Sequence, residues 1–348
     1  MSKTIFVIGS NSFSGSDFID YVLSKGKYRV IGVSRSPEKS ALFLPYKKSI
    51  NASLFRFYQL DLNKDWENLF GLLDREKPEY IVNFAAQSEV APSWEHPEHW
   101  FETNAVAIAR LGNYLKSLKS LKRYVHISSP EVYGTCVGTV KENTPLNPST
   151  PYAASKAAGD LFLFTLVKNF NFPLVVIRST NVYGSHQQLF KIIPRSVIYI
   201  KMGKIIELHG GGRAVKSYIH IRDISRGELL ALEKGKNGEI YHLSPDKGIS
   251  VREVVKLICE RSGKNFQKAT KIVAERLGQD KAYVIDSGKA RKTLDWKPEI
   301  SIEEGIGGVI DWVSDNWQEI KKQPLTYIHK PSVGLSTCPK RQLLSICL

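Results

Sequence analysis

Tyr152 and Lys156 stand four residues apart, a spacing that puts both side chains on one face of a helix, one turn from each other. A phenol beside an ammonium is a chemical pair: the positive charge favours the phenolate and lowers the tyrosine toward a useful base. The segment Ser128-Ser129-Pro130-Glu131-Val132-Tyr133-Gly134 lies just upstream. Ser129 could offer a hydroxyl hydrogen bond to the same reacting oxygen. Glu131 follows two residues later, so in an extended segment its carboxylate falls on the same side as that hydroxyl. Pro130 between them restricts Ser129 to extended geometry and cannot itself transfer a proton. A Tyr-x-x-x-Lys pair alone is common on surface helices, so the surrounding elements must decide.

Those elements can be read from hydrophobic runs and turn residues. Residues 152–170 form a helix, with Pro151 where a first turn tolerates it and strong helix formers from 157 onward. Residues 4–8 are a β-branched and aromatic run ending at Gly9, a buried first strand. Gly9-Ser10-Asn11-Ser12-Phe13-Ser14-Gly15 follows, then a helix to about Ser24. A small-residue turn between strand and helix aims backbone N–H groups and the helix dipole at a phosphate. Gly9, Asn11, Ser12, Phe13, Ser14 and Gly15 are therefore dinucleotide candidates, although Ser12 holds the place of the usual middle glycine. Residues 28–33 form a second strand ending in Ser34-Arg35-Ser36, with no carboxylate until Glu38. A cation there accommodates a ribose 2′-phosphate, so Arg35 argues for NADP over NAD.

A third strand over 54–60 brings Asp61 and Leu62 toward the adenine, and a helix covers 66–76. A fourth strand from Tyr80 runs into Phe84, Ala85 and Ala86, where a backbone can approach a cofactor closely. A long helix over 101–118 precedes a fifth strand over 124–128, which delivers Ser129 and Glu131 at its carboxyl end. Residues 174–178 are the next strand. The alternation predicts an α/β chain: a Rossmann-type doubly wound parallel sheet with ligands at the strand carboxyl ends.

Residues 1–183 are expected to form the dinucleotide-binding core with its catalytic helix. Residues 184–323, punctuated by Gly203, Gly210, Gly211 and Gly212, read as a smaller substrate-binding region interleaved with that core. Residues 324–348 lack periodicity and read as a disordered tail or an expression remnant. The formal charge is +15, and five cations without an acid from Lys321 onward supply a third of it. The remainder suits an anionic ligand, and without an aromatic-and-basic nucleic-acid module a phosphorylated small molecule is favoured over nucleic acid. Cys136, Cys259, Cys338 and Cys347 show no CxxC pair and no metal-ligand spacing with histidine, so no metal site is expected. Free thiols, the absence of a signal peptide and the lack of any membrane-length apolar run predict a cytoplasmic protein.

Taken together, the residues resemble the extended short-chain dehydrogenase/reductase family, and within it the nucleotide-sugar 4,6-dehydratases and epimerases. Residues 4 to about 317 follow that pattern. Asn83-Phe84-Ala85-Ala86-Gln87-Ser88-Glu89-Val90 with Ser93-Trp94 is similar to the GDP-mannose version, and Ser129-Pro130-Glu131 occupies the place of Thr-Asp-Glu or Thr-Ser-Glu in sugar dehydratases. Arg178 to Gly184 looks like the substrate-side strand end, residues 275–280 like the arginine segment, and residues 294–298 with 303–306 like the closing segment. The resemblance implies a tightly bound nicotinamide cofactor and catalysis by Ser129, Glu131, Tyr152 and Lys156, with Tyr152 and Lys156 also touching the cofactor. It further implies a nucleotide-sugar substrate met by Gln87, Ser88, Asn181, Lys216 and Arg276, and a homodimer through a four-helix bundle built from the helices over 101–118 and 152–170. The apolar side chains of Phe162, Phe164, Leu166 and Val167 are the candidate bundle surface. Lys216 replaces a diphosphate-binding arginine, and Pro130 stands where dTDP-glucose dehydratases carry an acid that helps expel water. A 4-epimerase needs only the Ser-Tyr-Lys set. A C5-decarboxylase or a non-catalytic dinucleotide-binding regulator would also keep the fold.

Overall fold

The computed structural model describes residues 3–135, 139–275 and 282–330. Seven parallel strands form its central sheet: β1 (Lys3–Ile8), β2 (Tyr28–Ser34), β3 (Phe55–Gln59), β4 (Tyr80–Asn83), β5 (Arg123–Ile127), β6 (Leu174–Ser179) and β7 (Glu239–Leu243). Their spatial order is β3-β2-β1-β4-β5-β6-β7. The chain steps outward from β1 to β3, then returns to the other side of β1 with β4. That reversal creates a crevice at the carboxyl ends of β1 and β4, where doubly wound sheets bind ligands.

The strands form because both faces of a parallel sheet must be covered. Alternation along β1 sends Ile5 and Val7 into one core layer and Phe6 and Ile8 into the other. The first layer is closed by α1 (Phe13–Ser24) and the helix Ile221–Lys234, through Phe18, Val22, Leu229 and Leu232. The second is closed by α2 (Trp66–Glu76), by a helical run beginning at α3 (Pro97–Phe101), and by α5 (Pro151–Phe170). Each fully buried Leu, Ile or Val contributes about 1.5–3 kcal/mol of burial free energy.

The second helical run begins four residues before the expected 101, at the proline that suits a first turn. It passes through a π-helical turn, Glu102–Val106, and continues as α4 (Ala107–Leu115). α5 starts at Pro151, capped by the Thr150 hydroxyl, which accepts from the Ala153 N–H at 3.1 Å. Asn171, with φ 51°, ends it. Leu166 is buried, and Phe162, Phe164 and Val167 pack against the same core layer. The apolar side chains that face outward are instead Leu161 and Phe170 on α5 and Phe101 and Val106 on the adjoining helical run.

Beyond Gly184, short strands and the helices Ile192–Lys201, Val251–Arg261 and Ile302–Asp315 enclose a separate core of Ile193, Val197, Val254, Ile258, Val309 and Trp312. β7 and the helix Ile221–Lys234 return to the main sheet from this half of the chain. Residues 324–330, expected as the start of a structureless tail, instead run along the crevice. The Lys330 carbonyl accepts from Arg35 Nη2 at 3.2 Å and from Gln87 Nε2 at 3.0 Å. Backbone hydrogen bonding of this kind leaves no periodic trace in a sequence. Residues 331–348 lie outside the described residues. No helix among the described residues is long and apolar enough to cross a membrane.

Candidate active site

Two adjoining cavities occupy the crevice. The larger, of 730 Å³, is lined by Gly9, Asn11, Ser12, Ser34, Arg35, Asp61, Leu62, Phe84, Ala85, Ala86 and Gln87, with Tyr327, Ile328 and Lys330 on its outer side. Its floor is backbone. Gly9 has φ 87°, and a Cβ there would lie 2.6 Å from the Ala85 nitrogen, so only glycine lets the first turn approach the β4 end. A Cβ at Gly15 would lie 2.5 Å from the Gly9 carbonyl oxygen. Ser12 caps α1: its hydroxyl accepts from the Gly15 N–H at 3.0 Å. The missing middle glycine is thereby replaced by a residue that begins the helix well. Asn11 Nδ2 donates to the Ser36 and Pro37 carbonyls, while its buried Oδ1 has no partner. Cavity size, glycine turn and orphaned acceptor fit a dinucleotide.

The smaller cavity, of 280 Å³, is lined by Phe13, Ser14, Ser88, Ser129, Pro130, Glu131, Tyr152, Lys156, Asn181 and Gln187. All four expected catalytic residues meet here. Ser129 leaves β5 in extended geometry, as Pro130 requires, with φ −146° and ψ 145°. Glu131 lies not in an extended segment but in the 3₁₀ turn Pro130–Tyr133, its N–H donating to Ser129 Oγ at 3.2 Å. Proline at the first position of the turn favours this tightening. The turn still brings the carboxylate into the pocket beside the phenol.

The expected lowering of the tyrosine is not what the structure holds. Burial raises the Tyr152 phenol above its ordinary value, the Glu131 carboxylate adds to this, and a hydrogen bond with Ser129 opposes it. Lys156 Nζ donates to the Ile127 carbonyl at 2.7 Å. Burial lowers Lys156 to about 8, with Asp160 pulling upward and Arg178 downward. Desolvation therefore outweighs the charge pairing that the four-residue spacing suggested.

Known proteins are similar to this chain in sequence and fold. The family model for GDP-mannose 4,6 dehydratase matches residues 6–308. The chain belongs to that family of nucleotide-sugar enzymes. dTDP-glucose 4,6-dehydratase of Xanthomonas campestris is 30% identical over 331 residues, covering 90% of this chain and 93% of the relative. The structure of dTDP-glucose 4,6-dehydratase from Bacillus anthracis in complex with NAD has a TM-score of 0.82 and 28% identity, over 91% of this chain and 98% of that one. UDP-glucose 4-epimerase of Thermotoga maritima with UDP-glucose follows at 0.81 and 26%, covering 90% and 99%. Proteins named for dehydration and for epimerisation are thus both among the similar structures.

Within this family frame, the expected substrate residues separate. Ser88 lines both cavities and Asn181 the smaller one, where its buried Oδ1 has no partner. Gln87 lines the larger cavity, its N–H donating to Asn104 Oδ1 at 3.0 Å. Lys216 is buried on the short strand Val215–Lys216, outside the lining of both cavities. Arg276 lies outside the described residues. Three residues escaped the sequence reading. Asn104, on the π turn, also donates to the Gln87 carbonyl and to Ser155 Oγ, each at 3.0 Å. Asp160, one helical turn after Lys156, accepts from Ser128 Oγ at 2.6 Å and from Arg178 Nη2 at 2.7 Å. Lys39 lines the larger cavity and donates to the Asn11 carbonyl at 3.1 Å. The i, i+4 spacing of Lys156 and Asp160 was the available signal for the second of these.

Proposed function

We propose that this chain is a nicotinamide-dependent nucleotide-sugar 4,6-dehydratase, forming a 4-keto-6-deoxy sugar nucleotide. One observation carries the reading: Glu131 shares a buried pocket with Ser129, Tyr152 and Lys156. Tyr152, held by Ser129, takes the proton from the sugar C4 hydroxyl. Lys156, cationic below about pH 8, stabilises the negative charge that develops there. Glu131 removes the C5 proton made acidic by the 4-ketone and delivers it to the departing C6 hydroxyl, so that water leaves. Reprotonated from solvent, it gives a proton back to C5 as hydride adds to C6. A nicotinamide cofactor, when bound, would supply the acceptor and then the donor of one hydride. Gly9, Asn11, Ser12, Phe13, Ser14, Gly15, Phe84, Ala85 and Ala86 would hold this cofactor. Asn181 and Ser88 face the sugar nucleotide, and Arg276 is assigned to its diphosphate.

The 4-epimerase reading is favoured by Pro130, which has no proton to give. Product mass and C5 labelling separate the two. Loss of one water and solvent deuterium at C5 support dehydration; unchanged mass without C5 deuterium overturns it.

The finer choice of cofactor is NADP. Arg35 and Lys39 line the cleft at the end of β2, whereas Glu38 accepts from Tyr46 Oη at 2.9 Å. Chromatography of the cofactor released on denaturation tests this, and recovery of NAD refutes it. A homodimer through α5 and the adjoining helical run would cover Leu161, Phe170, Phe101 and Val106. Light scattering at micromolar concentration tests this, and a monomer mass refutes it. A cytoplasmic setting agrees with the buried free thiol of Cys259.

A further inference from the structure

Three imidazoles gather at the rim of the large cleft, where α3 begins. His96 Nδ1 and His99 Nε2 each lie 3.8 Å from Glu98 Oε1. The donor atoms that His96, Glu98 and His99 can offer all fall within 4.8 Å of one another. The third ring, His329, comes from the segment that runs along the cleft. Its Nε2 is 2.9 Å from His99 Nδ1, and its Nδ1 is 3.2 Å from Tyr327 Oη. His329 also lies flat on Trp100, 5.3 Å between centroids and 7° from parallel.

A separation of 3.8 Å is too long for a hydrogen bond. It is close to what an ion requires: two bonds of about 2.0–2.2 Å meeting at a tetrahedral centre hold their ligand atoms roughly 3.4 Å apart. Each gap to Glu98 closes with a few tenths of an ångström of side-chain movement, and the His96–His99 pair, within 4.8 Å, with up to about 1.4 Å. The hydrogen-bond chain behind the cluster then becomes consistent. If His99 presents a lone pair at Nε2, its proton is on Nδ1 and is donated to His329 Nε2. The His329 proton is then on Nδ1, directed at the Tyr327 oxygen. A metal-ligating histidine held by its other ring nitrogen is a recurrent arrangement.

We propose that His96, Glu98 and His99 form a site for a divalent transition-metal ion of the zinc class, with His329 as the outer partner that ties residues 324–330 to α3. Two imidazoles and one carboxylate suit zinc or cobalt and leave a position for water. The tie is a clasp. Tyr327, Ile328 and Lys330 line the large cleft, and the Lys330 carbonyl holds Arg35 and Gln87. Fixing the His99 tautomer fixes the donor that anchors this segment. What the clasp would retain is the nicotinamide cofactor of the proposed dehydratase; metal binding and segment anchoring do not depend on that function.

Cobalt(II) titration of the full-length chain tests the site. One equivalent should give visible bands of nitrogen and oxygen ligation that zinc(II) abolishes. The half-exposed His96 makes His96→Gln safe for folding, and this variant should bind cobalt at least tenfold more weakly. His329→Phe should weaken binding by about tenfold as an outer-partner effect. Unchanged affinity in His96→Gln, or a thiolate charge-transfer band pointing to Cys338 or Cys347, overturns the site. Backbone hydrogen exchange of residues 325–330 tests the clasp: zinc should slow it at least tenfold in the native chain and not in His96→Gln. Zinc-independent exchange overturns the clasp. Either result stands whether the bound cofactor proves to be NADP, NAD or neither.

Discussion

The two cavities of the crevice do their work with different parts of the chain. The larger is shaped by backbone: a glycine at φ 87°, the small-residue turn after β4, and carbonyls such as that of Lys330. The smaller depends on buried side chains, a phenol pushed up and an ammonium pulled down by the same desolvation. Behind it Asp160, Arg178 and Ser128 form a buried layer, and His126, held near 3 chiefly by burial, stays neutral against it. Shape can be built from strands and turns, whereas reactivity needs charges that burial makes costly. The two tasks are therefore separable by mutation.

The largest test of that separation is Tyr152→Phe. Turnover should fall by about 10²–10⁴, the range for losing a positioned proton-transfer group, while cofactor retention is unchanged. A parallel loss of retention, measured by cofactor content after gel filtration, would break the distinction between the cavities. Glu131→Gln should cut product formation by about 10² or more yet spare the first oxidation. Transient nicotinamide absorbance in the near ultraviolet should persist, and solvent deuterium should vanish from C5. Failure to reduce the cofactor at all would assign Glu131 to an earlier step.

A pH profile sharpens the comparison further. Because burial lowers Lys156 to about 8, its ammonium is present below that pH and lost above it. Turnover should therefore decline above pH 8, about tenfold per unit in the alkaline limb. A rate flat to pH 10 would mean that Lys156 keeps its charge. The smallest effect is expected from Asn181→Ala. Loss of one hydrogen bond, about 1 kcal/mol, should raise the substrate KM roughly fivefold. Thermal stability should hold, since the removed Oδ1 has no partner in the fold. A fall in stability with no change in KM would make Asn181 structural.

Much of the large cleft was legible because its determinants are local. Buried parallel strands show as continuous apolar runs, and Gly9 through Gly15 mark the turn between one such run and α1. Tyr152 and Lys156 were legible from spacing, but the direction of the Tyr152 shift was not, because burial depends on packing from distant residues. The 3₁₀ turn at Glu131 hid behind a proline that fits both extended and helical starts. Asn104 and Lys39 carry no periodic signal, and their roles arise only when β4, the π turn and the β2 end converge. The clasping segment shows the limit most clearly, since His99 and His329 meet across 230 positions of chain.

The π turn at Glu102–Val106 acts as a phase adjuster. It spends one more residue than an α-helical turn, so the additional residue is taken up without throwing the helix before it and the helix after it out of phase. Excising a single residue there would restore a regular helix and leave the two halves close to their present phase, because the wider turn takes up the extra residue locally. What would be lost is the local widening in which Asn104 holds Gln87 and Ser155 while Ile108, Leu111 and Leu115 stay against the sheet. One helix serves a polar site and a dry core at once only while that additional residue is kept.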